Sequence, residues 1–330
     1  MTFFCQIGRL LLMDRNLALE FVRVTEAAAI EAAKWVGRGE KKKADAAAVY
    51  AMRARFNQVD FKGTVVIGEG EKDEAPMLYN GEKVGTGKGE EMDLAIDPLE
   101  CTDSVAFGRY NAISVIAAGE KGSLLKAPDT YMEKLAVGPL AKNVVNLDFS
   151  VEKNLKNIAK ALKKPITELT VMILDRERHQ KLIDEVRKVG SRVRLITDGD
   201  VSAAIATCFE ESGVDVYMGI GGSTEAVLAA VAMKVMGGEI LCRFKPKNEK
   251  DEEKVRSFGF KDLNKIYTSE DLARGKRLSF TATGVIDGPL LKGVIFQKKR
   301  ILTHSVVIRG LSGTIRYITT YHHFYKDNKT

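Results

Sequence analysis

From about residue 165 the chain alternates short aliphatic runs with longer amphipathic ones. LTVMILD leads into RERHQKLIDEVRKVG, RVRLITDGD into VSAAIATCFEES, and VDVYMGIGG into STEAVLAAVAMKVMG. Each aliphatic run has the length and β-branched content of a buried strand, and each follower has helical spacing. Successive βα units predict a mainly parallel sheet covered by helices, which places the chain in the α/β class.

The first half is less regular. Asp14 or Asn16 can cap a helix that runs to Trp35-Val36, with Leu17, Phe21, Val24 and Ile30 among its apolar positions. Gly37 and Gly39 stop it. GRGEKKKAD reads as a charged loop that opens a second helix, Ala44 to about Val59. GTVVIGEGEKDEAPM reads as a buried strand ending in a glycine-rich acidic loop, EMDLAID as a strand whose last residue is Asp97, and NAISVIAAG as a third. KNEKDEEKV is expected to be a solvated helix face or loop. The tail, RILTHSVVIRG to GTIRYITTYHHF, alternates as a closing hairpin would.

At 330 residues the chain can form one large domain or two. A net charge of +7 raises the question of nucleic acid. However, the cations are interleaved with acids and lack a basic, aromatic-laced stripe, and an anionic substrate suits the balance equally well. The four cysteines, Cys5, Cys101, Cys208 and Cys242, have no CxxC spacing, so neither a zinc knuckle nor a redox pair is indicated. No apolar run is long enough to span a membrane. The opening MTFFCQIGRLLL is too short for a secretory signal; residues 1–12 read as an extension that precedes a start at Met13. A reducing cytoplasm is the expected location.

Carboxylates gather at one topological place. Asp45 begins a helix, Glu69 and Glu71 flank Gly70 after a strand, and Asp73 and Glu74 lie just beyond. Asp97 and Glu100 follow MDLAI, Asp198 and Asp200 flank Gly199 after VRLIT, and Glu225 sits in the first turn after GIGGST. Capping explains Asp45 or Glu225 singly, but not the two acidic loops. The strand–loop edge is where α/β sheets bind ligands. So many carboxylates together would repel and need cations. Oxygen ligands without histidine or thiolate favour Mg²⁺ or Mn²⁺, and His179, His304, His322 and His323 lie away from these segments in sequence. Two such ions are a recurrent device for phosphoryl hydrolysis, in which the Thr102 hydroxyl can orient the attacking water. GIGGSTE looks like a phosphate cradle, and Arg176 and Arg178 can bind a second phosphate or simply fill a solvated helix turn.

The strings GEGE, DEAPM, DPLECT, APDTYMEKLAVGP, DGDV and GIGGSTE, in that order, resemble class II fructose-1,6-bisphosphatases from Met13 to Phe324. Wider relatives are the lithium-sensitive sugar and inositol phosphatases. The resemblance implies a layered αβαβα sandwich, with a metal-binding half over 13–164 and a substrate-binding half over 165–330. It implies metal-dependent hydrolysis of the 1-phosphate of fructose 1,6-bisphosphate, in gluconeogenesis, with two Mn²⁺ or Mg²⁺ ions. Asp45 and Glu69 match the ligands of one ion, and Asp97, Glu100 and Glu225 those of the other. Thr102 matches the threonine that orients the water, with Asp73 as partner and Glu69 beside it in catalysis. Lys41 matches an active-site lysine. Tyr131, Arg176, Arg178, Asp198, Asp200 and Gly222 match substrate-binding positions, together with Glu100 and Thr102. The implied partner is a small sugar bisphosphate, with no nucleic acid and no membrane, in a homodimer or homotetramer. Cys101 departs from the family, which has glycine before the threonine. It leaves open a catalytically weakened sugar-phosphate-binding homologue, as the substrate leaves open sedoheptulose 1,7-bisphosphate or an inositol phosphate.

Overall fold

The computed structural model describes residues 17–68 and 78–323. The expected caps Asp14 and Asn16, the 1–12 extension, and Glu69 and Asp73 lie outside them.

The chain folds into five layers. The first is a helix pair, α1 (Leu17–Ala33) and α2 (Lys41–Phe56). Gly37 and Gly39, both at positive φ, turn the chain between them. Helix α2 starts three residues before the expected Ala44, so the lysines thought to form a loop fill its first turn. Cations there oppose the helix dipole. Lys41 pairs with Asp103 and Lys43 with Glu40, which offsets that cost.

The second layer is an eight-stranded sheet. It contains β1 (Lys62–Ile67), β2 (Lys83–Val84), β3 (Glu91–Glu100) and, after α3 (Thr102–Phe107), β4 (Ala112–Glu120). The other sheet has five strands, the first of which is β5 (Tyr131–Val137). It continues through α4 (Val151–Leu162), β6 (Thr170–Leu174), α5 (Gln180–Val189), β7 (Arg192–Ile196), α6 (Asp200–Ala206), β8 (Val216–Gly222), α7 (Ser223–Met236) and β9 (Glu239–Phe244). The chain then passes α8 (Glu249–Ser257) and α9 (Ser269–Leu272) and returns to the first sheet as β10 (Ser279–Ile286), β11 (Ile295–Gln297), β12 (Arg300–Arg309) and β13 (Thr314–His323).

Side-chain alternation explains the layering. On β3, Leu94 and Ile96 pack with Phe21 and Met52 of the helix pair, while Ala95 joins the core on the opposite face. With both faces covered, the central strands β3 and β4 are buried along nearly their whole length and have no solvated face. Helix α7 lies between the sheets, and nine of its residues, Ser223 and Ala226 to Met233, are buried. A helix enclosed on all sides must be apolar all round, which is why STEAVLAAVAMKVM lacks an amphipathic stripe. The far face of the second sheet packs Leu135, Val171 and Ile173 against α4 and α5. The αβαβα sandwich expected from the sequence is therefore present.

Two expectations are corrected. The second sheet is mixed: β6 pairs parallel with β7 and β8, but β5 enters between β8 and β9 antiparallel to both. The βα rhythm could not reveal a strand contributed from upstream. In addition, β3 runs past Asp97 to Glu100. The halves 13–164 and 165–330 do not coincide with the sheets, since residues 131–137 belong to the second and 279–323 to the first. The closing hairpin pairs Arg309 with Thr314 through Arg300 with His323, as its alternation indicated. KNEKDEEKV forms α8, with only Val255 buried. Among the described residues, no helix is long and apolar enough to cross a membrane.

Candidate active site

A cleft of about 330 Å³ opens at the carboxyl ends of β3, β6 and β8 and the start of α6. It is lined by Asp97, Glu100, Thr102, Tyr131, Arg176, Arg178, Asp198, Asp200, Gly222 and Glu225, ten of the positions singled out in the sequence.

Asp97 and Glu100 reach it because β3 carries a bulge. Asp97 pairs with Val115 and Glu100 with Ile113, so three steps on β3 oppose two on β4. In a regular strand, residues three apart face opposite sides. The extra residue beside Pro98, which has no N–H to donate, turns both carboxylates to one face. Asp97 Oδ1 accepts the Leu99 N–H at 3.0 Å, and Glu100 accepts the Val201 N–H at 3.3 Å. Glu100 Oε2 is buried without a hydrogen-bond partner. Glu225 accepts the Thr224 hydroxyl at 2.7 Å.

These acids are crowded, and Asp97 and Glu100 are buried. Burial, then the charges of Glu100 and Glu225, pushes Asp97 well above the usual carboxylate range, and Asp45 on α2 adds to that push. Burial, then Asp200 and Glu225, raises Glu100 to about 8. Burial and Asp200 also raise Glu225. Among the described residues no group of three or more ligating side chains is placed to hold a metal ion. The residue types nevertheless suit a hard cation: carboxylates from separate elements, with one oxygen, Glu100 Oε2, unpartnered.

The remaining positions are organised by pairing. Arg176 donates to Asp198 at 2.6 Å. Arg178 donates to the Ile220 carbonyl at 2.8 Å and stacks over Tyr131, with Lys247 on the same ring at 4.0 Å. His179, next in sequence, is buried and accepts the Ile220 N–H at 2.7 Å, so it braces β8 against the arginine loop. Thr102 donates to the Leu99 carbonyl at 3.2 Å. Lys41 does not line the cleft; it pairs with Asp103, which does. Lys134, Lys247 and Tyr217 were not singled out in the sequence. Lys134 had a legible signal, since it interrupts the buried side of β5 between Met132 and Ala136.

In GIGGSTE the two central glycines lie against carboxylates. A side chain at Gly221 would overlap the Asp200 carboxylate, and one at Gly222 would overlap that of Glu225. The glycines make room for acids, and the Ile220 and Ser223 amides are already taken by His179 and the Thr130 carbonyl.

Cys101 adopts φ +77°, ψ +50° just before α3. This is the left-handed conformation that glycine takes without cost. Its sulfur lies against Gly199, where an added Cβ would stand 3.0 Å away. Burial and the Glu100 charge push the thiol well above its ordinary pKa, so it stays protonated. Cys101→Gly should raise the stability of the chelated protein by up to ~1 kcal/mol, because relief of backbone strain outweighs the added chain entropy. An unchanged or lower urea midpoint would show that the cysteine is accommodated without strain.

The family described as bacterial fructose-1,6-bisphosphatase, glpX-encoded, matches residues 15–322. The chain belongs to this family. It is 48% identical over 331 residues to the class 2 fructose-1,6-bisphosphatase 1 of Escherichia coli K12, covering 96% of this chain and 97% of that protein. The class 2 fructose-1,6-bisphosphatases of Escherichia coli O6:H1 and Shigella flexneri match to the same extent. Membership makes this protein a phosphatase of the class II fructose-1,6-bisphosphatase family, as the motifs indicated.

Proposed function

We propose that this chain hydrolyses the 1-phosphate of fructose 1,6-bisphosphate, yielding fructose 6-phosphate and phosphate for gluconeogenesis, with two Mn²⁺ or Mg²⁺ ions. The observation that carries this reading is the convergence of Asp97, Glu100 and Glu225 on one cleft, where burial and crowding raise the pKa of each. Asp45 and Glu69 are assigned to one ion, and Asp97, Glu100 and Glu225 to the other. When bound, such ions neutralise the phosphoryl oxygens and make a water nucleophilic at neutral pH. Thr102, bonded to the Leu99 carbonyl at its own turn, would orient the attacking water, with Asp73 as its assigned carboxylate partner. Arg176, Arg178 and Tyr131 hold the distal phosphate. Asp198, Asp200 and Gly222 contact the sugar, and Lys41 adds positive charge at the rim. The three described cysteines are free thiols, in keeping with a reducing cytoplasm. A homodimer or homotetramer is the proposed assembly.

The test is phosphate release from fructose 1,6-bisphosphate with Mn²⁺ or Mg²⁺, with sedoheptulose 1,7-bisphosphate and an inositol monophosphate alongside. Turnover that yields fructose 6-phosphate and stops with chelator is the expected result. Preference for another substrate would reassign the specificity. The strained Cys101 supports one further reading, a weakened homologue. That reading requires a wild type that is slow or silent and a Cys101→Gly that is markedly faster.

A further inference from the structure

Lys134 lies in the middle of the second sheet, opposite Gly219 on β8 and Cys242 on β9. Its side chain is 2% exposed. A buried ammonium is costly unless it is paired and hydrogen-bonded. Lys134 donates to Asp200 Oδ2 at 2.6 Å, and the Tyr217 hydroxyl donates to the same oxygen at 3.3 Å. Gly221 admits the pair: its backbone leaves no room for a side chain beside Asp200, and a Cβ there would stand 3.2 Å from the Lys134 ammonium. Burial works against the ammonium, but Asp200 and Glu225 outweigh it and hold its pKa above the usual lysine value.

We propose that Lys134 is a positioning residue that acts through Asp200. With Tyr217 it anchors one carboxylate oxygen, Oδ2, in the floor of the cleft. The other oxygen, Oδ1, is thereby oriented to accept a hydrogen bond from a substrate hydroxyl. Asp200 stands at the first position of α6 and could otherwise turn toward its own helix N-terminus. The lysine fixes its rotamer before substrate arrives, so the contact carries little ordering cost. This role rests on the sugar-phosphatase reading above.

The test is steady-state kinetics on the Mn²⁺-loaded protein with fructose 1,6-bisphosphate, comparing wild type, Lys134→Met, Asp200→Asn and the double variant. Lys134→Met is expected to raise KM about tenfold or more while kcat changes less than about threefold, because a ground-state contact is lost. In the double variant KM should match that of Asp200→Asn within about twofold, because both changes remove one interaction. A KM for Lys134→Met within twofold of wild type would overturn the proposal. So would a double variant worse than Asp200→Asn by the full Lys134→Met factor. If Lys134→Met alone does not fold, the charge-balanced double variant is compared with Asp200→Asn: a KM within about twofold is expected, and a larger rise would overturn the proposal. A wild type silent toward fructose 1,6-bisphosphate would overturn the parent reading and this role with it, whereas an active wild type makes the comparison speak to the lysine alone.

Discussion

Glu100→Gln is expected to cut kcat/KM for fructose 1,6-bisphosphate by on the order of 10³-fold and, at the same time, to make the metal-free protein more stable. The two effects have one cause. Glu100 is 4% exposed, has one oxygen without a hydrogen-bond partner, and sits near Asp200 and Glu225. Its charge is an expense in the empty fold that a bound cation offsets. Glutamine has nearly the same shape, removes the charge and cannot neutralise a divalent ion. Activity measured at saturating Mn²⁺ and thermal unfolding in chelator together check both halves. An active variant would remove Glu100 from the metal site. An inactive but destabilised one would show that the carboxylate contributes to the fold through contacts other than charge.

Metal-free protein should lose stability as pH rises from about 4.5 to 8. Glu100 has a reference pKa of 4.5 and is raised to about 8 in the fold. Between those values the unfolded chain has released the proton that the folded protein still holds. Each step upward in pH therefore favours unfolding, and the penalty is complete above the folded pKa. For Glu100 alone this amounts to up to about 5 kcal/mol, or a fall in Tm on the order of 10 °C. Asp97 and Glu225 shift in the same direction. Mn²⁺ should restore the loss and release protons as it binds. A Tm in chelator that stays flat from pH 5 to 8 would refute the picture of a strained acidic cluster, and Glu100→Gln should flatten the slope.

Much of this site was legible as residue types at strand ends, because a ligand-binding edge leaves acids where a core would have none. What the sequence could not give was orientation. DPLE names two carboxylates, but their common face depends on a bulge defined by pairing with Val115 and Ile113 on the next strand. GIGG names glycines, but not what lies against them, which here includes the carboxylates of Asp200 and Glu225. Arg176 and Asp198 each read as substrate-binding positions, but nothing local showed that they bind each other across 22 residues. The fold followed a similar pattern. Local periodicity revealed the βα units, whereas β5 reaches its sheet only through pairing with distant strands.

The return of β10 to β13 to the first sheet also sets an order of assembly. Until residues 279–286 arrive, β4 has an open edge along seven paired positions, Ala112 to Ala118. On a ribosome the helix pair and β1 to β4 emerge early but remain an unfinished sheet while some 160 residues, including the whole second sheet, are made. Such an edge is a template for pairing with other nascent chains. Completion of the phosphatase is thus a late event in synthesis: a chain cut short before Ser279 would carry every described carboxylate of the cleft on a scaffold that cannot close.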